Sequence, residues 1–175
     1  LDRSQLPRHV AVLADGNPRW ARMNAPGEPL VAGYRAGATK LLDFVEWCDE
    51  AGIQVVTLWV LSTDNLARAE AGELAPLLGV IEQLVDDLAT RGIWRVRAVG
   101  ALDLLPPECA DTLQASAART ADAEGMQVNV AVSYGGRHEL RDAVRSLLAA
   151  RAAEGASLEE VARTLEIDEI SEHLY

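Results

Sequence analysis

The sequence predicts an α/β fold in which a parallel β-sheet is flanked by helices on both faces. Four short runs rich in β-branched residues recur along the chain, and each is followed by a segment with helical periodicity. Strands that alternate with helices of this length predict parallel pairing and right-handed crossover connections. The 175 residues, of which 49% are hydrophobic, are enough for one large core, so we expect a single domain over residues 1–175.

The predicted elements follow one another without a linker or an internal repeat. We predict strands at residues 9–14, 53–61, 94–100 and 127–134, and apolar helical stripes at residues 38–48, 74–88, 140–148 and 158–165. Pro106 and Pro107 predict the start of a further helix, and Ser157 with Glu160 predicts a capping box before the last stripe. Polar loops are expected at residues 23–31 and 62–72, on the same rim of the sheet.

The composition argues against several classes of function. A net charge of −11 argues against a nucleic-acid partner, because binding to a phosphate backbone needs a clustered basic surface. Cys48 and Cys109 match no metal or redox spacing, so we expect free thiols on helices and no zinc site. No apolar stretch is long enough to span a bilayer, and the first residues lack the pattern of a secretory signal, which predicts a cytoplasmic protein.

Asp15, Gly16 and Asn17 stand directly after the first predicted strand and before Pro18 and Arg19. A carboxylate, a flexible glycine and an amide at a strand-to-helix turn suit a magnesium-bound diphosphate. In open α/β sheets ligands bind at the carboxyl ends of strands, and helix N-termini attract anions. In a chain with a net charge of −11, such a site would need nearby arginines and a metal ion, whose short-range attraction outweighs a diffuse, screened surface charge.

Four separated segments are expected to meet on that rim, namely residues 15–20, 33–37, 61–68 and 129–137. Their order, spacing and residue content resemble the cis-prenyltransferases, the family of undecaprenyl diphosphate synthase and its shorter-chain relatives. The resemblance runs from Pro7 along essentially the whole chain. It implies that an allylic diphosphate ionises with magnesium assistance, that isopentenyl diphosphate adds to the allylic centre, and that loss of a proton leaves a cis double bond.

The resemblance also implies roles for individual residues. Asp15 would hold Mg2+ against the leaving diphosphate and would form the catalytic machinery together with Asn65. The residues implied to bind or enclose the substrate are Gly16, Asn17, Arg19, Trp20, Tyr34, Val60 and Arg68. Products of this family grow into a tunnel between the sheet and its long helices, and Val60 stands where long-chain relatives carry a smaller alanine.

These residues also have ordinary structural interpretations. Asp15 and Asn65 are residue types that cap helices. Arg19 and Arg68, taken singly, are typical surface charges, and Val60 is a typical core residue. The sequence leaves these alternatives open.

The chain departs from the family's pattern at several positions. Leu30 stands where longer-chain enzymes carry an arginine, Tyr34 where many relatives carry a histidine, and Ala101 where an aspartate is usual. Leu66 replaces a frequent tryptophan, as in the short-chain branch that makes Z,E-farnesyl diphosphate. Relatives carry an Arg-x-Ser-Gly-Glu region and a final strand beyond the position of Tyr175, so we expect the C-terminal part of the fold to be missing from these 175 residues.

The resemblance therefore predicts a Mg2+-dependent cis-prenyltransferase that condenses a short allylic diphosphate with isopentenyl diphosphate to a Z,E-farnesyl-like product. One alternative is an irregular coupling that gives a lavandulyl-type diphosphate. Another is a non-catalytic partner subunit, although such homologues typically lose the Asp-Gly-Asn element that this chain retains. The resemblance also implies a homodimer, and contact with a membrane surface stays open.

Overall fold

A four-stranded parallel sheet forms the centre of the structure, a computed structural model that describes residues 5–69 and 71–175. The strands are β1 (His9–Leu13), β2 (Val55–Trp59), β3 (Arg95–Val99) and β4 (Gln127–Ala131), in the spatial order β1-β2-β4-β3. His9 lies opposite Val55, and Val55 lies opposite Gln127, so the strands begin level with one another. Their carboxyl ends therefore form one rim, and all four predicted strands are confirmed.

Helices connect and follow the strands in the predicted order. They are α1 (Asn17–Asn24), α2 (Val31–Ala51), α3 (Thr63–Arg68), α4 (Ala71–Thr90), α5 (Pro107–Ala118), α6 (Gly136–Ala153), α7 (Leu158–Thr164) and α8 (Ile167–Glu172). Pro107 begins α5 as predicted, and the Ser157 hydroxyl caps α7 by accepting the Glu160 N–H at 3.2 Å. Among the described residues, no helix combines the length and apolarity that a membrane span needs.

The predicted loop over residues 62–72 is partly wrong, because α3 occupies its centre and α4 begins inside its end. The Ser62 hydroxyl accepts the Asn65 N–H at 3.0 Å and caps α3. A helix of six residues is too short to show an apolar stripe, so its periodicity is not visible in the sequence. Residue 70, within the predicted loop, lies outside the described residues.

One face of the sheet carries the hydrophobic core. Val56, Leu58, Val128 and Val130 are fully buried there, and the layer formed by α2, α4 and α5 packs over them. Cys48 and Cys109 belong to this core and are free thiols on helices, as predicted. Burial, together with the neighbouring Glu82 carboxyl, raises the pKa of the Cys109 thiol to about 12. Both thiols are therefore small apolar packing groups.

The opposite face of the sheet carries a polar row across three strands. The Thr57 hydroxyl lies 2.8 Å from His9 Nε2, and it accepts a hydrogen bond from Asn129 Nδ2 at 3.3 Å. Asn129 in turn accepts a hydrogen bond from Gln127 Nε2 at 2.9 Å. Asn129 thus bonds to side chains of the sheet. It lies away from the end of β1, where the Asp-Gly-Asn turn begins.

Candidate functional site

The chain turns sharply at the end of β1. Asp15 leaves the strand, and Gly16 adopts a left-handed conformation with φ of 94° at the N-cap position of α1. A glycine adopts this conformation without the steric penalty of a side chain. The N-cap is therefore Gly16, and no side chain caps this helix. The interpretation of Asp15 as a helix cap is wrong, because its Oδ1 accepts the N–H of its own neighbour Gly16 at 2.6 Å.

Asp15 and Arg19 form an ion pair over the first turn of α1. Arg19 Nη2 lies 3.3 Å from Asp15 Oδ2. The side chain of Asp15 is 76% exposed and that of Arg19 is 73% exposed. An exposed pair of this kind contributes about 0.2–1 kcal/mol to stability. Both charged groups are thus held at the rim yet stay accessible to a ligand, next to a helix N-terminus that favours anions.

Two glycines of α2 allow α1 to pack at very short range. A Cβ atom built on Gly33 would lie 2.1 Å from the Asn17 carbonyl oxygen, and one on Gly37 would lie 2.5 Å from Asn17 Oδ1. The contact at Gly33 is with backbone and leaves no room for a side chain, whereas a Cβ on Gly37 would force the end of the Asn17 side chain to move. The two glycines lie one helical turn apart, and together they seat Asn17 against α2.

Asn65 and Arg68 project from α3, which follows β2. Arg68 Nη2 donates to Asn65 Oδ1 at 3.0 Å, and Arg68 Nε donates to the Asp64 carbonyl at 3.1 Å. The interpretation of Asn65 as a helix cap is wrong, because Ser62 holds that position. The Asn65 amide is instead paired with a guanidinium, so the two side chains act as one polar unit.

A cavity of about 310 Å³ lies between the ends of β1 and β2. Of the residues predicted to form the site, those that line it are Asp15, Gly16, Asn17, Tyr34, Val60, Asn65 and Arg68. Arg19 and Trp20 are not among the described residues that line it. Arg19 is linked to the cavity through Asp15, whereas the Trp20 side chain is 45% exposed on α1. The volume is in the usual range for a small-molecule site.

Sequence reasoning missed Glu73 and Leu77, which lie on α4 and close the cavity on that side. Burial, and then the Glu73 carboxylate, raise the pKa of the Tyr34 hydroxyl, so Tyr34 remains a hydrogen-bond donor at neutral pH. Leu77 belonged to a predicted apolar stripe, and nothing in its spacing distinguished a cavity wall from core. Glu73 had no signal in the sequence.

Two further cavities adjoin this one. A cavity of about 290 Å³ lies beside it and shares Val60, Asn65 and Arg68. A second cavity of only about 20 Å³ lies beneath it, with Tyr34, Val60 and Leu77 shared between the two. That volume is close to the ~10–15 Å³ that a single water requires. The polar site thus opens sideways along the rim but is nearly closed towards the core.

The Asp15 carboxylate suits a metal ion that arrives with a phosphate-bearing ligand. Over residues 5–69 and 71–175, no group of three or more His, Cys, Asp and Glu side chains could hold a metal. Magnesium in proteins is typically held by one or two carboxylates together with substrate phosphates and waters. The exposed Asp15 carboxylate at the cavity rim fits that pattern.

Comparison with known proteins identifies relatives of this chain. The (2Z,6E)-farnesyl diphosphate synthase of Thermobifida fusca is 51% identical over 175 residues, which are 100% of this chain and 68% of that protein. Isoprenyl transferase 1 of Streptomyces avermitilis is 47% identical over 175 residues, which are 100% of this chain and 67% of that protein. The chain thus spans about two thirds of the length of these relatives.

A solved structure has the same fold. The lavandulyl diphosphate synthase of Lavandula x intermedia, crystallised with dimethylallyl diphosphate, superposes with a TM-score of 0.82 at 25% identity, covering 96% of this chain and 70% of that one. The parallel sheet with its helices is therefore the prenyltransferase architecture that the sequence predicts. Residues 13–175 match the prenyltransferase family described as undecaprenyl diphosphate synthase. The chain belongs to the undecaprenyl diphosphate synthase family of prenyltransferases.

Proposed function

We propose that the protein is a short-chain cis-prenyltransferase, which joins a short allylic diphosphate to isopentenyl diphosphate and releases diphosphate. The observation that carries the proposal is one cavity that combines Asp15, Asn65 and Arg68 at its polar rim with a nearly closed apolar floor. Relatives that are 45–51% identical and are named (2Z,6E)-farnesyl diphosphate synthase support it.

The polar rim would bind the diphosphate of the allylic substrate. Arg68, held by Asn65, and Arg19, held by Asp15, would neutralise negative charge as the allylic C–O bond breaks. The Tyr34 hydroxyl would donate a further hydrogen bond from α2. Asp15 would hold Mg2+, and the chemistry that bound Mg2+ supplies is charge neutralisation on the diphosphate oxygens.

The adjoining cavity would take the second substrate. It lies beside the first along the rim, and Asn65 and Arg68 line both. A second diphosphate bound there would bring its double bond towards the allylic carbon. Holding two reactants side by side removes much of the entropic barrier to their reaction.

The floor of the site favours a short product. The space beneath Tyr34, Val60 and Leu77 is about 20 Å³, which cannot hold a further prenyl unit without movement of side chains. Dependence on Mg2+, assembly as a homodimer and a cytoplasmic location belong to the same proposal. They are supported by membership in the family.

A direct assay tests the proposal. The purified full-length protein is supplied with geranyl diphosphate, isopentenyl diphosphate and Mg2+, and the dephosphorylated products are identified by mass spectrometry. We expect a Z,E-farnesyl-type alcohol. A branched lavandulyl-type product would instead favour the irregular coupling, and turnover that requires an added homologous subunit would favour a non-catalytic partner.

Val60→Ala is expected to shift the product towards longer chains. Val60 lines the polar cavity, its neighbour and the narrow floor, so removal of two methyl groups widens the passage where all three meet. The measurement is the product distribution with excess isopentenyl diphosphate. If the variant folds and makes the wild-type distribution, Val60 has no role in chain length and the core interpretation stands.

A further inference from the structure

The helix that carries Asn65 and Arg68 is tied at its start to the turn that follows β4. The Thr63 N–H donates to the Tyr134 carbonyl at 3.2 Å, and the Tyr134 N–H donates to the Leu61 carbonyl at 3.1 Å. Because α3 has only six residues, its own hydrogen bonds cannot hold it in place. Contacts with neighbouring elements therefore decide where its side chains point.

The turn that receives α3 has a strained backbone. Ser133 has a φ of 52°, in the left-handed region that residues with a side chain rarely adopt. Ser133 is fully buried, and the Ala101 N–H donates to its carbonyl at 3.2 Å. Such a conformation persists only where the surrounding structure imposes it, and it is concentrated at functional sites. The fold, rather than a local preference, thus places Tyr134 beside α3.

A side-chain contact reinforces this junction between α3 and the start of α6. Thr63 Oγ1 lies 3.3 Å from Nδ1 of His138, which stands in the first turn of α6. Thr63 is 7% exposed, so little water reaches its hydroxyl, and His138 supplies a hydrogen bond. Gly135 leaves room for the contact, because a Cβ atom built on Gly135 would overlap with Thr63 Oγ1 and would lie 3.3 Å from His138 Nδ1.

We propose that His138 is a positioning residue that, by holding Thr63, keeps the pair of Asn65 and Arg68 directed into the cavity of about 310 Å³. This inference rests on the proposed function. His138 is not among the described residues that line this cavity or its neighbour, so it acts through α3 and not on a substrate. Leu66 and the backbone bonds to the turn fix α3 at two points, and the Thr63 side chain supplies the third point that fixes its rotation.

His138→Ala tests this role in the full-length protein. We expect kcat for prenyl transfer to fall at least about tenfold, while KM for either substrate changes less than about threefold, because charge neutralisation matters most as the allylic C–O bond breaks. Hydrogen exchange followed by mass spectrometry gives a second readout that needs no substrate. The backbone amides of α3 should lose about tenfold in protection when the contact is removed.

Conservative variants identify the atoms that act. The side-chain amide of asparagine takes the place of the histidine Nδ1, so His138→Asn should restore both kcat and the protection of α3. The amide of glutamine lies nearer the place of Nε2, so His138→Gln should restore neither. Thr63→Val keeps the shape of threonine but removes the hydroxyl, and adding His138→Ala to it should lower kcat no further.

His173→Ala is the matched control. His173 Nδ1 lies 2.8 Å from Ser146 Oγ, so this variant removes the same kind of contact between a histidine and a hydroxyl, at the end of α8. Neither residue is among those that line the cavity of about 310 Å³. Both kcat and the exchange of the α3 amides should stay at their wild-type values.

The outcomes distinguish the positioning role from the proposed function. If the wild type forms prenyl products and His138→Ala keeps its kcat, the positioning role is overturned while the proposed function stands. Equal rescue by His138→Gln, or a further loss of kcat when His138→Ala is added to Thr63→Val, also overturns the role. Unchanged exchange of α3 in His138→Ala overturns the contact itself. If the wild type forms no prenyl product, the proposed function fails and the positioning role fails with it.

Discussion

Replacing Asp15 with alanine is expected to lower prenyl-transfer turnover by at least ~10²-fold while leaving the fold intact, as for the loss of one strong electrostatic contact in a transition state. Asp15 follows β1 and lines the cavity of about 310 Å³. Its carboxylate is exposed to solvent there, where a diphosphate with its metal would bind. Its removal also releases Arg19 from the ion pair. Turnover is measured with saturating substrates and Mg2+.

Two controls isolate the charge of Asp15. Asp15→Asn keeps an oxygen for the Gly16 N–H but removes the negative charge, so it should lose turnover to a similar degree. Asp43→Ala removes an equally simple exposed ion pair with Lys40 on α2 and should keep turnover near wild type. Each loss of an ion pair should cost about 0.2–1 kcal/mol of unfolding free energy. Near-wild-type turnover of Asp15→Ala would end its assignment as the metal ligand.

The strands and the long helices could be predicted because each has a regular apolar pattern. In β2 and β4, Val56, Leu58, Val128 and Val130 alternate with partly exposed residues, which is the signature of a strand with one buried face. The apolar stripe predicted at residues 74–88, which includes Ile81 on α4, likewise packs in the hydrophobic core. Elements without such a stripe were predictable only where another signal marked them, as Pro106 and Pro107 do for α5, and α3 has no such signal.

The site could be predicted in part for a different reason. Asp15 stands at the end of an obvious strand, and parallel strands place their carboxyl ends on one rim, so its position followed from topology. Asn65 and Arg68 were identified through the family resemblance, and the structure brings them to the same cavity. Glu73 could not be predicted, because its place depends on how α4 packs beside α2, which is a tertiary property.

The close approach of α1 and α2 was also invisible in the sequence. Gly33 and Gly37 belong to a segment that the resemblance singled out, but no pattern in the chain indicates which residue would contact them. The structure identifies Asn17 as that residue. The sequence shows that the residue at a position is small, whereas only the folded structure shows which atoms lie next to it.

Gly33→Ala is therefore expected to destabilise the protein by about 1–3 kcal/mol or more, the usual cost of forcing extra atoms into a packed contact. The new Cβ would lie 2.1 Å from the Asn17 carbonyl oxygen and 3.0 Å from the Ala21 Cβ. Because the first obstacle is backbone, a rotamer change cannot relieve it, and α1 must move away from α2. The shift would carry Asp15, Gly16 and Asn17 with it, so turnover should fall together with stability.

Gly79→Ala is the matched control for this prediction. It makes the same substitution inside a long helix, but at a position where the new Cβ has no heavy atom within 4 Å. Alanine there should stabilise the protein by about 0.5–1 kcal/mol through its higher helix propensity. Urea unfolding of both variants gives the difference in free energy. The two substitutions differ in that the new Cβ meets the Asn17 carbonyl oxygen at Gly33 and meets no heavy atom at Gly79. If Gly33→Ala were as stable as Gly79→Ala, the contact between α1 and α2 would not be as close as the structure shows.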